Sequence, residues 1–197
     1  MFTKNIFFKN FNSNLHLKYK NKNLSIFNKK NLFSKYPLLK TFSKDFKYSY
    51  SKNLVNKYKK SSTFKVIGMG GSILGTEAIY YFLKNKIKKK FYFVDNLNPK
   101  LTSKNKSVNI IVSKSGETLE TISNFHALER IEKNNKNIFI TENNHSYIQN
   151  LANKLKADIV EHKNYVGGRY SVLSEVGMLP SELMGLNERK FKRLNYL

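Results

Sequence analysis

From residue 62 onward, short apolar runs alternate with segments of helical period, and this alternation constrains the fold more than any other feature. Strand-like runs fall at 64–67, 91–94, 108–112, 137–140 and 158–160. Helical segments fall at 72–86, 117–133, 145–156 and 171–178, the last stopping at Pro180. Leu74, Ala78, Tyr81 and Phe82 share one face of the first. Leu119, Ile122, Phe125 and Leu128 turn inward on the second, and Ile148, Leu151, Ala152 and Leu155 line the third at helical spacing. Strands that alternate with helices predict an α/β fold, a doubly wound three-layer α-β-α sandwich on a parallel sheet of about five strands. Right-handed crossovers then fix most of the topology. Ligands of such sheets bind beyond the carboxyl ends of the strands, so the loops that follow strands carry the chemical information.

Composition narrows the chemistry. Cysteine is absent, which removes disulfides, thiolate nucleophiles and Cys-ligated zinc. With 40% apolar and 14% aromatic residues, the chain can build a core despite a net charge of +23. Arg130, Arg169, Arg189 and Arg193 are the only arginines among 36 basic residues. Arg, not Lys, reads phosphates and bases bidentately, so nucleic acid is a poor fit to this charge. Lysines spread among many asparagines read as solvated faces, although the field also favours an anionic small ligand. No apolar run approaches the ~20 residues of a membrane span, so a soluble chain without a membrane partner is expected.

Residues 1–61 read as an N-terminal extension, rich in Lys, Asn and Phe. Residues 6–11 and 15–19 form two short alternating runs around Asn12, Ser13 and Asn14, the pattern of a β-hairpin arm. A targeting presequence fits less well, since Arg is missing and Asn interrupts every helical pattern. Residues 59–62 read as a linker, 62–187 as the α/β domain, and 188–197 as a basic C-terminal helix.

Three loops stand out. Gly68-Met-Gly-Gly-Ser-Ile-Leu-Gly75 joins a strand to a helix, and its glycines allow a close backbone approach to an anion. Ile73 stands where a dinucleotide fingerprint needs its third glycine, and no Gly-Lys-Ser/Thr of a P-loop follows. Ser72 is placed either to cap the helix or to donate to a ligand. The second loop, Ser113-Lys-Ser-Gly-Glu-Thr118, follows the most apolar strand and opens a helix. Ser113, Ser115 and Thr118 offer hydroxyls, Gly116 frees the backbone, and Lys114 and the helix N-terminus add positive charge. That is a cradle for a phosphate monoester, or a Ser/Thr-capped helix start with Lys114 in solvent. Glu117 and Glu120 suit the first turn as dipole partners. The third segment, Tyr165-Val-Gly-Gly-Arg-Tyr-Ser171, sets one Arg behind two glycines in a Lys-dominated chain. Arg169 suits an oxyanion, or caps a helix.

These segments, in this order, resemble the glucose-6-phosphate isomerase family and, more broadly, the sugar-isomerase (SIS) phosphosugar-binding fold. The glycine loop looks like the family's first glycine loop, residues 113–121 like its Ser-Lys-Ser/Thr phosphate loop, and 166–171 like its Gly-Gly-Arg signature. The resemblance covers about residues 62–187. It implies interconversion of glucose 6-phosphate and fructose 6-phosphate through a cis-enediolate, a step of glycolysis and gluconeogenesis. It implies that Ser113, Lys114, Ser115 and Thr118 hold the 6-phosphate, that Gly71 and Ser72 contact the sugar, and that Gly168 and Arg169 lie beside C1–C2. Arg169 would be the catalytic group that stabilises the enediolate, and no metal or redox cofactor is implied.

The family's base, a Glu, lies well downstream of the Gly-Gly-Arg segment, as do its ring-opening His and a C-terminal Lys. Within these 197 residues, Glu175, Glu182 and Glu188 are poor substitutes, and His126, His145 and His162 are expected on helix or loop surfaces. The expectation is an N-terminal isomerase part with little turnover of its own. It would be a homo-oligomer or dependent on a second SIS domain, which would cover an exposed apolar face. A non-catalytic SIS-type phosphosugar-binding module is the alternative.

Overall fold

The computed structural model describes residues 32–97, 106–131 and 135–196. Two compact units divide the chain between Leu39 and Lys40. The described part of the first carries one short helix, α1 (Leu32–Lys35). The hairpin expected over residues 6–19 lies outside the described residues.

In the second unit, helix α2 (Lys52–Tyr58) starts at Ser51, whose side chain accepts the Leu54 N–H. Five strands follow: β1 (Thr63–Gly68), β2 (Lys90–Val94), β3 (Val108–Val112), β4 (Lys136–Thr141) and β5 (Asp158–Glu161). All pair in parallel in the order β2-β1-β3-β4-β5. Phe64 stands beside Val108, and Gly68 beside Val112. The expected α/β fold and five-stranded parallel sheet are therefore found. The chain reverses its direction of winding between β1 and β3, and the two outstanding glycine- and serine-rich loops leave these two strands. Ligand crevices of doubly wound sheets open at such a switch point.

Helices cover both faces. They are α3 (Leu74–Phe82), α4 (Leu119–Ile131), α5 (Tyr147–Lys154) and α6 (Glu175–Leu183). Val66, Ile110, Ile138 and Val160 pack with Val55 and Tyr58 of α2, Tyr80 of α3, and Leu179 and Leu183 of α6. Their neighbours in sequence, Ile67, Ile111 and Phe139, point the other way, onto Phe125 and Leu128 of α4 and Ile148 and Ala152 of α5. The period-two alternation of the strand thus supplies both cores from one run of apolar residues. Toward the start of the strands the second face turns polar. Lys65 is only 2% exposed, and Asn109 beside it donates to Asn137 Oδ1 at 2.9 Å on the next strand.

Several local expectations change. Leu74, Tyr81 and Phe82 share a face of α3, but it faces outward, Phe82 being 86% exposed; Tyr80 and Thr76 are the buried positions. Leu119 is exposed at the start of α4, whereas Phe125 and Leu128 are buried as expected. Helix α6 does not stop at Pro180 but runs through it to Leu183. Proline removes the N–H that would bond to Val176 O. Thr76 Oγ1 of α3 donates to that carbonyl instead, at 3.1 Å, which satisfies the group and ties α3 to α6. The C-terminal segment Glu188–Tyr196 is a 3-10 helix. Among the described residues no helix is long and apolar enough to cross a membrane.

Candidate functional site

The site grows from the carboxyl ends of β1 and β3. After β1, a 3-10 turn (Gly70–Ser72) precedes α3. Ser72 does not cap α3; the cap position is Ile73, without a side-chain bond, so the capping role read from the sequence is not filled. Ser72 and Gly71 are both half-buried at the turn. Against this turn lies a second 3-10 helix, Gly168–Leu173. The backbones nearly touch: a Cβ on Gly71 would stand 2.3 Å from Gly168 O and 2.7 Å from Arg169 N. Ser171 Oγ lies 3.3 Å from Gly71 O and 2.7 Å from Gly168 O, and donates toward both carbonyls. Only a residue without a side chain at position 71 permits this approach. Arg169 is itself exposed, and nothing stands within 4 Å of where a Gly168 Cβ would be. The Arg is carried on a fixed backbone with open space beside it.

The loop after β3 is closed by its own hydroxyls. Ser113, 1% exposed, accepts the Gly116 N–H at 3.2 Å and pairs with Thr118 Oγ1 at 3.0 Å. Ser115 is exposed and accepts the Glu117 N–H at 3.2 Å. Gly116 has φ +71°, and a Cβ there would meet Ser146 Oγ at 2.1 Å, so both conformation and space require glycine. Its carbonyl accepts the Ile148 N–H of α5. Lys114 is not in bulk solvent: its Nζ donates to Asn164 O at 2.8 Å and lies 3.3 Å from Glu142. This bond links the β3 loop to the chain that follows β5, and so to the Gly168–Arg169 segment. Glu117 accepts the Tyr147 N–H at 2.7 Å, capping the neighbouring helix α5 rather than acting on its own.

All three segments thus meet at one edge of the sheet. Two of the carboxylates around them, Glu175 and Glu182, are engaged elsewhere. Glu175, fully buried, takes the Ser49 N–H and Oγ on Oε1, both at 3.1 Å. Glu182 accepts from Tyr50 Oη at 2.8 Å and Lys52 Nζ at 2.9 Å. Glu77, in the first turn of α3, is held above the usual carboxylate range by burial and by the negative charge of Asp95. His162 is not on a surface. It is 1% exposed, its backbone N–H donates to Thr141 O at 2.7 Å, and its Nε2 is buried without a partner. Burial lowers its pKa, because the interior disfavours the imidazolium. The position just after a strand end is the signal that could have found this. Among the described residues no His, Asp or Glu cluster could hold a metal ion.

Comparison with known proteins bears on the whole arrangement. A glucose-6-phosphate isomerase of Methanocaldococcus jannaschii is 40% identical over 156 residues, covering 72% of this chain and 38% of that protein. One of Acholeplasma laidlawii is 34% identical, covering 70% and 37%. The chain spans little more than a third of the length of these curated relatives. Among solved structures, the hypothetical protein TT0462 from Thermus thermophilus superposes with a TM-score of 0.67 at 21% identity, over 91% of this chain and 46% of that one. Tagatose-6-phosphate ketose/aldose isomerase from Escherichia coli gives 0.54 at 15% identity, over 72% and 44%, a likeness of fold. The family model described as phosphoglucose isomerase matches residues 34–193, which span α2, the whole sheet and all three site loops, and the chain belongs to that family.

Proposed function

We propose that this chain forms the phosphosugar-holding part of a glucose-6-phosphate isomerase, acting in the cytoplasm on glucose 6-phosphate and fructose 6-phosphate. The observation that carries the reading is that, at the switch point, Lys114 ties the β3 loop to Asn164, a few residues before the junction of Gly168 with Gly71. The family membership supports the reaction, and the site supports a division of labour. Ser113, Ser115 and Thr118 offer hydroxyls, and the start of α4 offers N–H groups, to the 6-phosphate. Lys114 adds charge once it turns from Asn164 O toward the ester. Gly71 and Ser72 border the sugar, and the open space beside Gly168 leaves room for C1 and C2. Arg169 then faces the oxygens on which charge builds in the enediolate.

Isomerisation also needs a base that takes a proton from C2 and returns it to C1. Guanidinium has no acceptor and cannot be that base. Glu175 and Glu182 are held by Ser49, Tyr50 and Lys52, and Glu142 lies against Lys114. On this reading the three loops bind and polarise, and the proton transfer falls to a carboxylate outside them, in a second SIS domain or a second copy of the chain.

The test is a titration of the purified chain with fructose 6-phosphate, followed by exchange of the C2 proton of glucose 6-phosphate in deuterated water. Binding that salt weakens, with little exchange, is expected. No binding would remove the phosphosugar reading. Fast exchange abolished by Glu175→Gln would place the base inside these residues.

A further inference from the structure

A cavity of about 220 Å³ lies between the segment 44–52 and the 3-10 helix Glu188–Tyr196. None of its lining residues belongs to the three site loops. Lys192 lines it and is only 3% exposed. Its Nζ has no hydrogen-bond partner and stands 4.4 Å from the ring centre of Phe46 and 4.5 Å from that of Tyr48. The Tyr48 hydroxyl is also buried without a partner. A buried ammonium with three donors and no acceptor is costly, and two aromatic faces offset only part of that cost.

The acids around the cavity have other obligations. Glu182 accepts from Tyr50 and Lys52. Glu188 lies 3.9 Å from Lys52 and 3.8 Å from Arg189. Glu175 gives its Oε1 to Ser49, and its other oxygen lies within electrostatic reach of Lys192 but forms no ion pair with it. Lys47 adds a further cation to the lining. Donors and positive charge are in excess, and the volume exceeds the ~30 Å³ share of a single water.

We propose that this cavity is a second anion site, separate from the phosphosugar cradle, which takes a phosphate group against Lys192, the Tyr48 hydroxyl and Lys47. Inorganic phosphate and the phosphate of a small ester share this chemistry. The aromatic walls of Phe46 and Tyr48 exclude water around the ammonium, so the contact is stronger than one at the surface. Burial already lowers the Lys192 amine to about 8, opposed by Glu175 and Glu188 and reinforced by Lys163. A bound dianion acts in the opposite direction, holding the proton on. The site does not depend on the isomerase reading, since no residue is shared.

The experiment is calorimetric titration of the purified chain with inorganic phosphate at pH 7, in parallel with fructose 6-phosphate. Two phosphate equivalents are expected, one displaced by fructose 6-phosphate and one not. Lys192→Met should abolish the second equivalent and leave fructose 6-phosphate binding within twofold. Lys47→Met, at an exposed position that does not hold the fold, should weaken the second equivalent about threefold or more. It serves as the test if Lys192→Met fails to fold. A single equivalent, fully displaced by fructose 6-phosphate, overturns the proposal. So does a second equivalent that survives Lys192→Met, or one that Lys47→Met leaves unchanged. Losing fructose 6-phosphate binding while the second equivalent persists would count against the phosphosugar reading alone.

Discussion

The β3 loop and the Gly-Gly-Arg segment face the same crevice but are held in different ways. The β3 loop is locked by its own hydroxyls, with Ser113 bonded to Gly116 N and Thr118 Oγ1. The Gly-Gly-Arg segment is locked by backbone contact with another loop, through Gly71 and Ser171, while the Arg169 side chain stays exposed. In the proposed role, the β3 loop would hold a phosphate whose charge does not change during the reaction, which suits a loop closed in advance. Arg169, in its own proposed role, meets a charge that is only transient, and what is fixed in advance is the backbone that carries it.

The largest effect should come from the point where the two designs meet. Gly71→Ala would drive a methyl into Gly168 O, and a stability loss of about 3 kcal/mol is expected, from urea unfolding followed by circular dichroism. A near-native midpoint would show that the two 3-10 turns separate easily. Next comes Thr118→Val, which keeps the shape but removes a hydroxyl from Ser113 and, in the proposed role, from the ester. Fructose 6-phosphate affinity should fall by ~1–3 kcal/mol with a much smaller change in stability. Equal losses in both would mean that the hydroxyl is structural.

Arg169→Gln should behave differently again. Because Arg169 is exposed, unfolding should shift by less than ~0.5 kcal/mol. Binding of a phosphorylated aldonate, whose carboxylate stands in for the enediolate oxygens, should weaken more than binding of fructose 6-phosphate. Parallel titrations of the two ligands decide it.

The sequence separates these cases only partly. Strand positions and the parallel sheet were legible, because β3 is apolar on both faces and the helical period of α5 is plain in Ile148 and Ala152. The three loops were legible from glycine, hydroxyl and Arg placement. Partners that depend on distant chain were not. Nothing near Pro180 announces that Thr76 will bond to Val176 O and carry the helix onward. Nothing near Glu117 tells that it caps a helix thirty positions later through Tyr147. The outward face of α3 misled for a related reason: Leu74, Tyr81 and Phe82 form a valid apolar stripe, and period alone does not say which way a stripe faces.

The smallest effect concerns His162, which follows β5 between the two loop systems. Its pKa is lowered in the folded chain, so the unfolded state binds more protons once pH drops below about 6.5. The stability that neutral His162 contributes is present above that value and lost as pH falls through the folded pKa. Thermal unfolding between pH 7 and 5 should show a downward slope that is shallower in His162→Gln. An unchanged slope would assign it to other groups.

The strand order also sets the sequence of events during synthesis. β1 is made first but lies inside the sheet, between β2 and β3. Val66 and Ile67, both fully buried in the end, must wait until Ile110 and Ile111 have left the ribosome. Through that interval an apolar strand with two open edges is exposed to other nascent chains. Non-local parallel pairing is intrinsically slow, so the crevice at the switch point cannot exist until β3 closes beside β1. A newly made chain therefore forms this crevice only in the same event that covers the open edge of β1.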